Sequence, residues 1–300
     1  MADVLTCRSA AKINLTLDVV SLRPDGYHEL RSVVHTVALW DELTLEFGAG
    51  NGFSLTCNLA ELVLENNLCL RAARAFSEAA SERGEPALDS LRIGLLKTIP
   101  SGAGLGGGSG NAAAMLLALN RYYRELFDMD ALIAMAARLG ADVPLFLRGG
   151  CQLMEGIGER ICPLPALDGW LVIVKPEDHV ATPEIFRQWD EMGLVSGHGT
   201  DELLAKLGTG QSNIAEVANA LQNDLQQVVE MRGIAAGELV ARLKQCGAHE
   251  AVMTGSGSAV YGAFADRSSA QSAAARLGDV LCKPHWIRAA QLCAHGVEFG

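Results

Sequence analysis

Six of the nine residues from 102 to 110 are glycine: Gly102, Gly104, Gly106, Gly107, Gly108 and Gly110. The chain then runs directly into Asn111-Ala112-Ala113-Ala114 and an apolar stretch. Ordering glycine costs more backbone entropy than ordering any other residue. Such a run persists in a folded chain mainly where the backbone must approach something closely or take a positive φ. A tight loop whose N–H groups converge at a helix N-terminus is an anion site. Residues 100–123 therefore read as a phosphate cradle opening an alanine-rich helix, with a ligand-free hinge as the bland alternative.

Three phosphate motifs compete for this segment. A Walker A loop needs a lysine after its last glycine, and none is present. The pattern GxGxxG matches literally at Gly102, Gly104 and Gly107, but an acidic residue should then end a second strand about 20 positions on. Residues 116–127 read as helix, so Glu125 and Asp128 lie on or beside a helix instead. The protein-kinase hairpin fails as well, since Ser109 stands where its valine belongs.

The 300 residues carry a net charge of −11, with 49% hydrophobic and 20% charged residues. That length suits one large or two modest domains. The acidic balance argues against coating nucleic acid or an anionic membrane, but leaves a small anionic substrate open. No apolar run approaches the ~18–20 residues that span a bilayer. The N-terminal segment resembles neither a secretory leader nor a transit peptide, so a cytoplasmic protein is expected. Eight cysteines without a CxxC pair read as reduced thiols, and no histidine spacing indicates a protein-held metal.

The first third reads as strands. In 11–20, Ile13, Leu15, Leu17 and Val19 share one face and Lys12, Asn14, Thr16 and Asp18 the other, which for a half-buried strand is ordinarily solvent surface. A turn signal at 24–30 leads to strands over 33–40 and 43–47, separated at Asp41–Glu42. Helical spacing covers 66–84, a strand 91–99, and a helix begins at Asp128 or Asp130. Residues 163–169 are the candidate linker. Beyond it come a strand at 170–175, a helix from Thr182 with that threonine as its cap and Pro183 at its first position, and a mobile tract around one short helix at 196–212. Helices at 213–232 and 237–246, a strand–turn–strand over 251–264, a helix at 268–278 and a strand at 283–288 complete the chain. Strands cluster before the first helix, so the class is α+β and not a doubly wound sheet.

The segments AKINLTL (11–17), PDGYHEL (24–30), ENNLCLRAA (65–73), PSGAGLGGGSGNAA (100–113), GADVPLFLRGG (140–150), TPEIF (182–186), LQNDL (221–225) and MTGSGSAVYGAF (253–264) span the chain. Together, and in this order, they resemble the galactokinase–homoserine kinase–mevalonate kinase–phosphomevalonate kinase superfamily. Within it, DGYHEL, AKINL and GADVP resemble the members that phosphorylate the 2-hydroxyl of a diphosphocytidyl-linked methylerythritol in the non-mevalonate isoprenoid pathway. The resemblance implies a two-domain small-molecule kinase whose N-terminal domain resembles ribosomal protein S5 domain 2. The ATP-binding domain would cover 1–162, and a C-terminal α/β domain, 163–300, would contribute to the substrate site. The alternatives are another kinase of the superfamily, of homoserine or mevalonate type, or a nucleotide-binding protein that has lost its chemistry.

By the same resemblance, Pro100, Gly102, Gly104, Leu105, Gly106, Gly107, Gly108, Ser109 and Gly110 surround ATP, with Mg2+ as the counterion of ATP. Gly110 departs from the family, which usually has serine there, leaving Ser109 and backbone N–H groups to meet the phosphates. Asp142 would be the base that takes the hydroxyl proton, and Lys12 its partner. Read alone, Asp142 could be a turn or helix cap and Lys12 a solvent lysine. Asn14 shares the Lys12 face. Tyr27 and Phe186 would stack on the cytosine, His28 would bond its polar edge, and Thr182 would approach the substrate. The Thr254–Ser258 turn resembles the last family motif, which backs the active site. The expected partner is a small molecule, with no nucleic acid and no membrane, and the chain a monomer or weak homodimer.

Overall fold

The computed structural model describes residues 3–48, 50–86, 88–178, 181–233, 235–281 and 285–300. Its strands are β1 (Val4–Asn14), β2 (Thr16–Leu22), β3 (His28–Phe47), β4 (Gly52–Cys57), β5 (Ser90–Leu96), β6 (Cys151–Gly156), β7 (Arg160–Pro163), β8 (Trp170–Lys175), β9 (Gln222–Asn223), β10 (Ala251–Met253), β11 (Val260–Phe264), β12 (Trp286–Gln291) and β13 (Val297–Phe299). The helices are α1 (Leu68–Glu82), α2 (Gly107–Tyr122), α3 (Met129–Leu139), α4 (Val143–Arg148), α5 (Thr182–Met192), α6 (Gly199–Gly208), α7 (Gln226–Met231), α8 (Ala236–Gln245) and α9 (Arg267–Val280).

A nine-stranded sheet runs β13-β1-β3-β2-β9, with β5 and β6 also paired to β3, β4 on β5 and β7 on β6. A second, antiparallel sheet has the order β10-β11-β8-β12. The architecture is the expected two-domain α+β. The two halves of the chain interleave: β9 and β13 come from the second half but complete the first sheet.

Helix starts follow side-chain chemistry. Asn67 accepts from Cys69 N–H, Asp128 from Ala131 N–H and Asp266 from Ser269 N–H, each capping its helix. α2 differs: Gly106 sits at its cap in the left-handed region, φ 69°, and no side chain takes its first N–H groups. They are left for something else. Ala112, Ala113 and Ala114 are fully buried and let α2 lie close against α1 and β1.

Three apolar clusters hold the fold. One packs α1, α2, α3 and α4 on the large sheet, through Phe76, Leu91, Ile93, Leu116 and Phe146. A second joins the two sheets, bringing Ile13, Leu15 and Val33 against Leu171, Ile173 and Tyr261. The third lies on the other side of the small sheet, under α5, α8 and α9. Among the described residues no helix is long and apolar enough to cross a membrane, and the seven described cysteines are free.

Several elements differ from the sequence reading. The strand over 11–20 is two strands, broken at Leu15, and its polar face is not solvent: Lys12, Asn14, Thr16 and Asp18 are all buried. The second half of the chain covers that face, with Thr16 Oγ1 hydrogen-bonded to Thr200 Oγ1 at 2.8 Å. No break occurs at Asp41–Glu42; β3 runs unbroken for 20 residues. It continues because the Asp41 carboxylate is satisfied inside, accepting from Thr98 and Ile99 N–H. The tract at 196–212 is anchored through buried Thr200, Leu203 and Leu207. The helix expected over 213–232 is interrupted by a short 3-10 turn and by β9, where Gln222 and Asp224 N–H bond the Leu15 and Leu17 carbonyls. Strands β4, β6, β7 and β13 had no sequence reading. The last expected strand begins at Trp286, and its expected start, Lys283, lies outside the described residues.

Candidate active site

The chain from β5 to α2 is the glycine loop, and it separates two clefts. The first, about 430 Å³, has an apolar wall of Leu62, Leu64 and Leu68 and a floor of Pro100, Gly102 and residues 104–109. The second, about 420 Å³, shares Gly102 and Gly104 with the first and adds Lys12, Asn14, Asp142, Thr182, Phe186 and Gly255. The loop is thus a thin partition between two clefts.

Glycine is required along this partition for steric reasons. A Cβ on Gly104 (φ 76°) would lie 2.4 Å from the Thr254 carbonyl oxygen, and one on Gly106 would lie 2.8 Å from Phe146 Cζ and 2.9 Å from Lys12 Cγ. Leu105 contributes backbone: its carbonyl accepts from Lys12 N–H at 2.9 Å, tying the loop to β1, while its side chain is buried. A Cβ on Gly108 would make only an ordinary contact, 3.6 Å from Leu68 Cδ1, and Ser109 is half-buried. Gly110 does not line the cleft. It faces away, into the α2–β1 contact, where a Cβ would meet the Ala10 carbonyl at 2.9 Å. Its glycine character serves packing.

Lys12 and Asp142 meet in the second cleft. Lys12 Nζ donates to Asn14 Oδ1 at 2.7 Å and lies 3.7 Å from Asp142 Oδ2. The Lys12 side chain is 5% exposed and that of Asp142 33%. Asp142 directly precedes α4 but makes no side-chain capping bond. The local capping role is therefore not used, and the carboxylate pairs with the ammonium instead. Asn14 is held on all sides: its N–H donates to Thr254 Oγ1 at 3.0 Å, its Nδ2 to Ser32 Oγ at 2.8 Å, and its carbonyl accepts from Tyr261 OH.

At the outer end, the His28 and Phe186 rings stack at 4.7 Å, and His28 Nε2 lies 2.9 Å from Asp190 Oδ1. Tyr27 is 62% exposed, and the ring stacked on Phe186 is that of His28. Thr182 is the first residue of α5 and not its cap; Ala181 takes the cap position, and the Thr182 hydroxyl pairs with Ser256 Oγ at 2.7 Å.

The sequence reading missed a buried polar cluster beneath the loop. Lys97 Nζ pairs with Asp41 Oδ2 and donates to Asn111 Oδ1 at 3.1 Å. Asn111 Nδ2 donates to Asp41 Oδ2 and Ser9 Oγ. A Cβ on Gly107 would lie 2.9 Å from Lys97 Nζ, so this ammonium abuts the first turn of α2. The available signal was Asp41, a charge inside an otherwise apolar strand pattern, which asks for a partner.

Family models for the GHMP kinases N terminal domain and C terminal domain match residues 67–150 and 203–281. With the fold described above, these matches define an ATP-dependent small-molecule kinase. A 4-diphosphocytidyl-2-C-methyl-D-erythritol kinase of Pelotomaculum thermopropionicum is 39% identical over 277 residues, covering 91% of this chain and 93% of that one. The protein of that name from Geobacter metallireducens is 37% identical, with 90% and 92% covered. A crystal structure of 4-(cytidine 5'-diphospho)-2C-methyl-D-erythritol kinase aligns with a TM-score of 0.78 at 33% identity, covering 96% of this chain and 98% of that one. The chain belongs to the 4-diphosphocytidyl-2-C-methyl-D-erythritol kinase family of the GHMP kinases. A homoserine kinase from Cytophaga hutchinsonii, 17% identical with a TM-score of 0.74, shares the fold.

Proposed function

We propose that this chain transfers the γ-phosphoryl group of ATP to the 2-hydroxyl of 4-diphosphocytidyl-2-C-methyl-D-erythritol, giving the 2-phosphate and ADP. The observation that carries the site assignment is the partition: Lys12 and Asp142 lie on one side of the glycine loop, and the apolar-walled cleft lies on the other. A nucleotide in the first cleft would set its base against Leu62, Leu64 and Leu68 and its phosphates against the loop and the uncapped first turn of α2. The γ-phosphoryl group would then point across Gly102–Gly104 toward the acceptor. Phosphoryl transfer depends on placement and charge more than on covalent help from the protein.

The acceptor hydroxyl would sit between Asp142 and Lys12. Asp142 takes its proton as the oxygen bonds to phosphorus and the bond to ADP breaks. Lys12, fixed by Asn14, orients the hydroxyl and offsets charge on the transferring group. Ser109, at the loop, offers an oxygen donor that suits a hard cation. Magnesium brought by the nucleotide would neutralise phosphate charge there. The cytosine would be read at the outer end, with Phe186 supplying a face, Tyr27 free to cover the other and His28 a polar contact. Thr182 lines the same cleft beside the polyol.

Asp142→Asn tests the base assignment. Nucleotide affinity and fold should be kept, and kcat should fall by at least ~100-fold. Steady-state kinetics with the cytidyl substrate reads the result; a kcat near wild type overturns the role of Asp142.

A further inference from the structure

The segment Leu221-Gln222-Asn223-Asp224-Leu225 supplies no side-chain polar group to either cleft, yet its central side chain is fully committed. Asn223 is buried, and both hydrogens of its amide are donated, to the Met253 and Gly255 carbonyls, each at 2.8 Å. Its Oδ1 accepts from Leu225 N–H at 2.9 Å. The two carbonyls flank Thr254. Asn223 sits on β9, which is paired to β2 of the large sheet, so one carboxamide joins that sheet to the turn after β10.

Thr254 is where the two sides of the site meet. Its Oγ1 accepts from Asn14 N–H and donates to Asn14 Oδ1 at 3.3 Å, the same oxygen that takes the Lys12 ammonium. Its carbonyl oxygen occupies the space that a Cβ on Gly104 would need, and Gly255 lies beside the Gly104 backbone. A shift of this turn therefore moves the Lys12 support and the phosphate partition together.

We infer that Asn223 is a positioning residue for phosphoryl transfer, fixing the Thr254 turn and through it the register of Lys12 against the glycine loop. The inference rests on Lys12 and Asp142 being at the reacting centre. The carboxamide suits this position because the two acceptors need two N–H donors from one short side chain. Asp offers the same shape with the wrong polarity.

Asn223→Asp, Thr254→Val and the double variant test it by kcat, KM and melting temperature. A misplacement of this kind is expected to lower kcat at least ~10-fold while KM for ATP stays within about 3-fold. The double variant should have a kcat within about 3-fold of the worse single variant, because both changes release the same turn. The ratio of variant to wild-type kcat should rise as pH falls, since a protonated carboxyl regains one donor; a general loss of structure would worsen in acid. Asn223→Ser, which keeps one donor, replaces Asn223→Asp if the latter does not fold, with the same non-additivity expected. Unchanged kcat in the folded variant, or losses that multiply in the double, overturns the inference. Asp142→Asn in the same assay separates the two ideas: a large loss there beside an unchanged Asn223 variant removes the positioning role alone.

Discussion

Replacing Lys97 by Met removes one charge from beneath the glycine loop and keeps most of the side-chain volume. The Lys97 and Asp41 side chains are 4% and 0% exposed. Breaking a buried ion pair from one side costs about 3–5 kcal/mol, because the remaining charge stays desolvated. Asp41 would keep three donors, Thr98 N–H at 2.8 Å, Ile99 N–H at 2.9 Å and Asn111 Nδ2 at 2.9 Å. These place the cost at the low end, about 3 kcal/mol, which is roughly 6–12 °C of melting temperature at 2–4 °C per kcal/mol for a chain of this size. The left-over charge would lie beneath the loop proposed to hold the nucleotide phosphates, so ATP affinity should fall. Thermal melts by circular dichroism and nucleotide titration by calorimetry measure both effects. Asp41→Asn added to Lys97→Met should recover at least half of the stability, since it removes the stranded charge. A loss below ~1 kcal/mol in the single variant, or no recovery in the double, would refute the reasoning that the pair is dry and mutually dependent.

Gly110→Ser restores the serine that the family usually has, yet its Cβ would lie 2.9 Å from the Ala10 carbonyl and 3.4 Å from Phe146 Cδ1. Overpacking against backbone should cost about 1–3 kcal/mol with KM for ATP nearly unchanged, and a raised melting temperature would contradict this. His35 is buried and neutral, its Nδ1 donating to the Thr36 carbonyl and its Nε2 accepting from Leu167 N–H, and burial lowers its pKa from 6.5 to about 4. The unfolded chain binds this proton more readily, so stability should fall as pH drops from 6.5 toward 4, by about 3 kcal/mol. Urea titrations at several pH values check it, and His35→Gln should flatten the slope in that window.

The glycine loop opening a helix was legible because its signal is local: the glycines, the helix behind them and their spacing lie within one short segment. The α+β class was legible from element order, and the caps at Asn67 and Asp128 fall where the helices were expected to begin. What escaped depends on residues far apart in the chain. Lys12, Asn14, Thr16 and Asp18 have the alternation of a solvated strand face, and only the return of α6 and the Thr254 turn over that face buries them. Lys97 and Asp41 are 56 residues apart, so neither carries a local sign of the other. The residues of the outer pocket are legible as a set, whereas the contacts of His28 with the Phe186 ring and with Asp190, four positions after Phe186 on α5, join distant parts of the chain and are not. Gly110 belongs to the same run of glycines, but one turn into α2 it packs against β1 and leaves the cleft.

The pairing of β13 with β1 sets Cys7 opposite Phe299, and Arg8 is bonded to Glu298 at a separation of 290 residues. While the chain is being made, β1 can pair with β3 early and Leu105 can meet Lys12, but the Cys7–Ser9 stretch of its other edge has no strand beside it until residues 297–299 emerge. For that whole interval the nascent sheet presents open backbone donors and acceptors to any other extended chain, the condition under which strands join edge to edge between molecules. The last few residues of the second half thus act as a lock on the first. Proteolytic trimming or a frameshift near position 296 would leave Lys12, the glycine loop and Asp142 intact in sequence, yet convert the molecule into one that seeds its own aggregation.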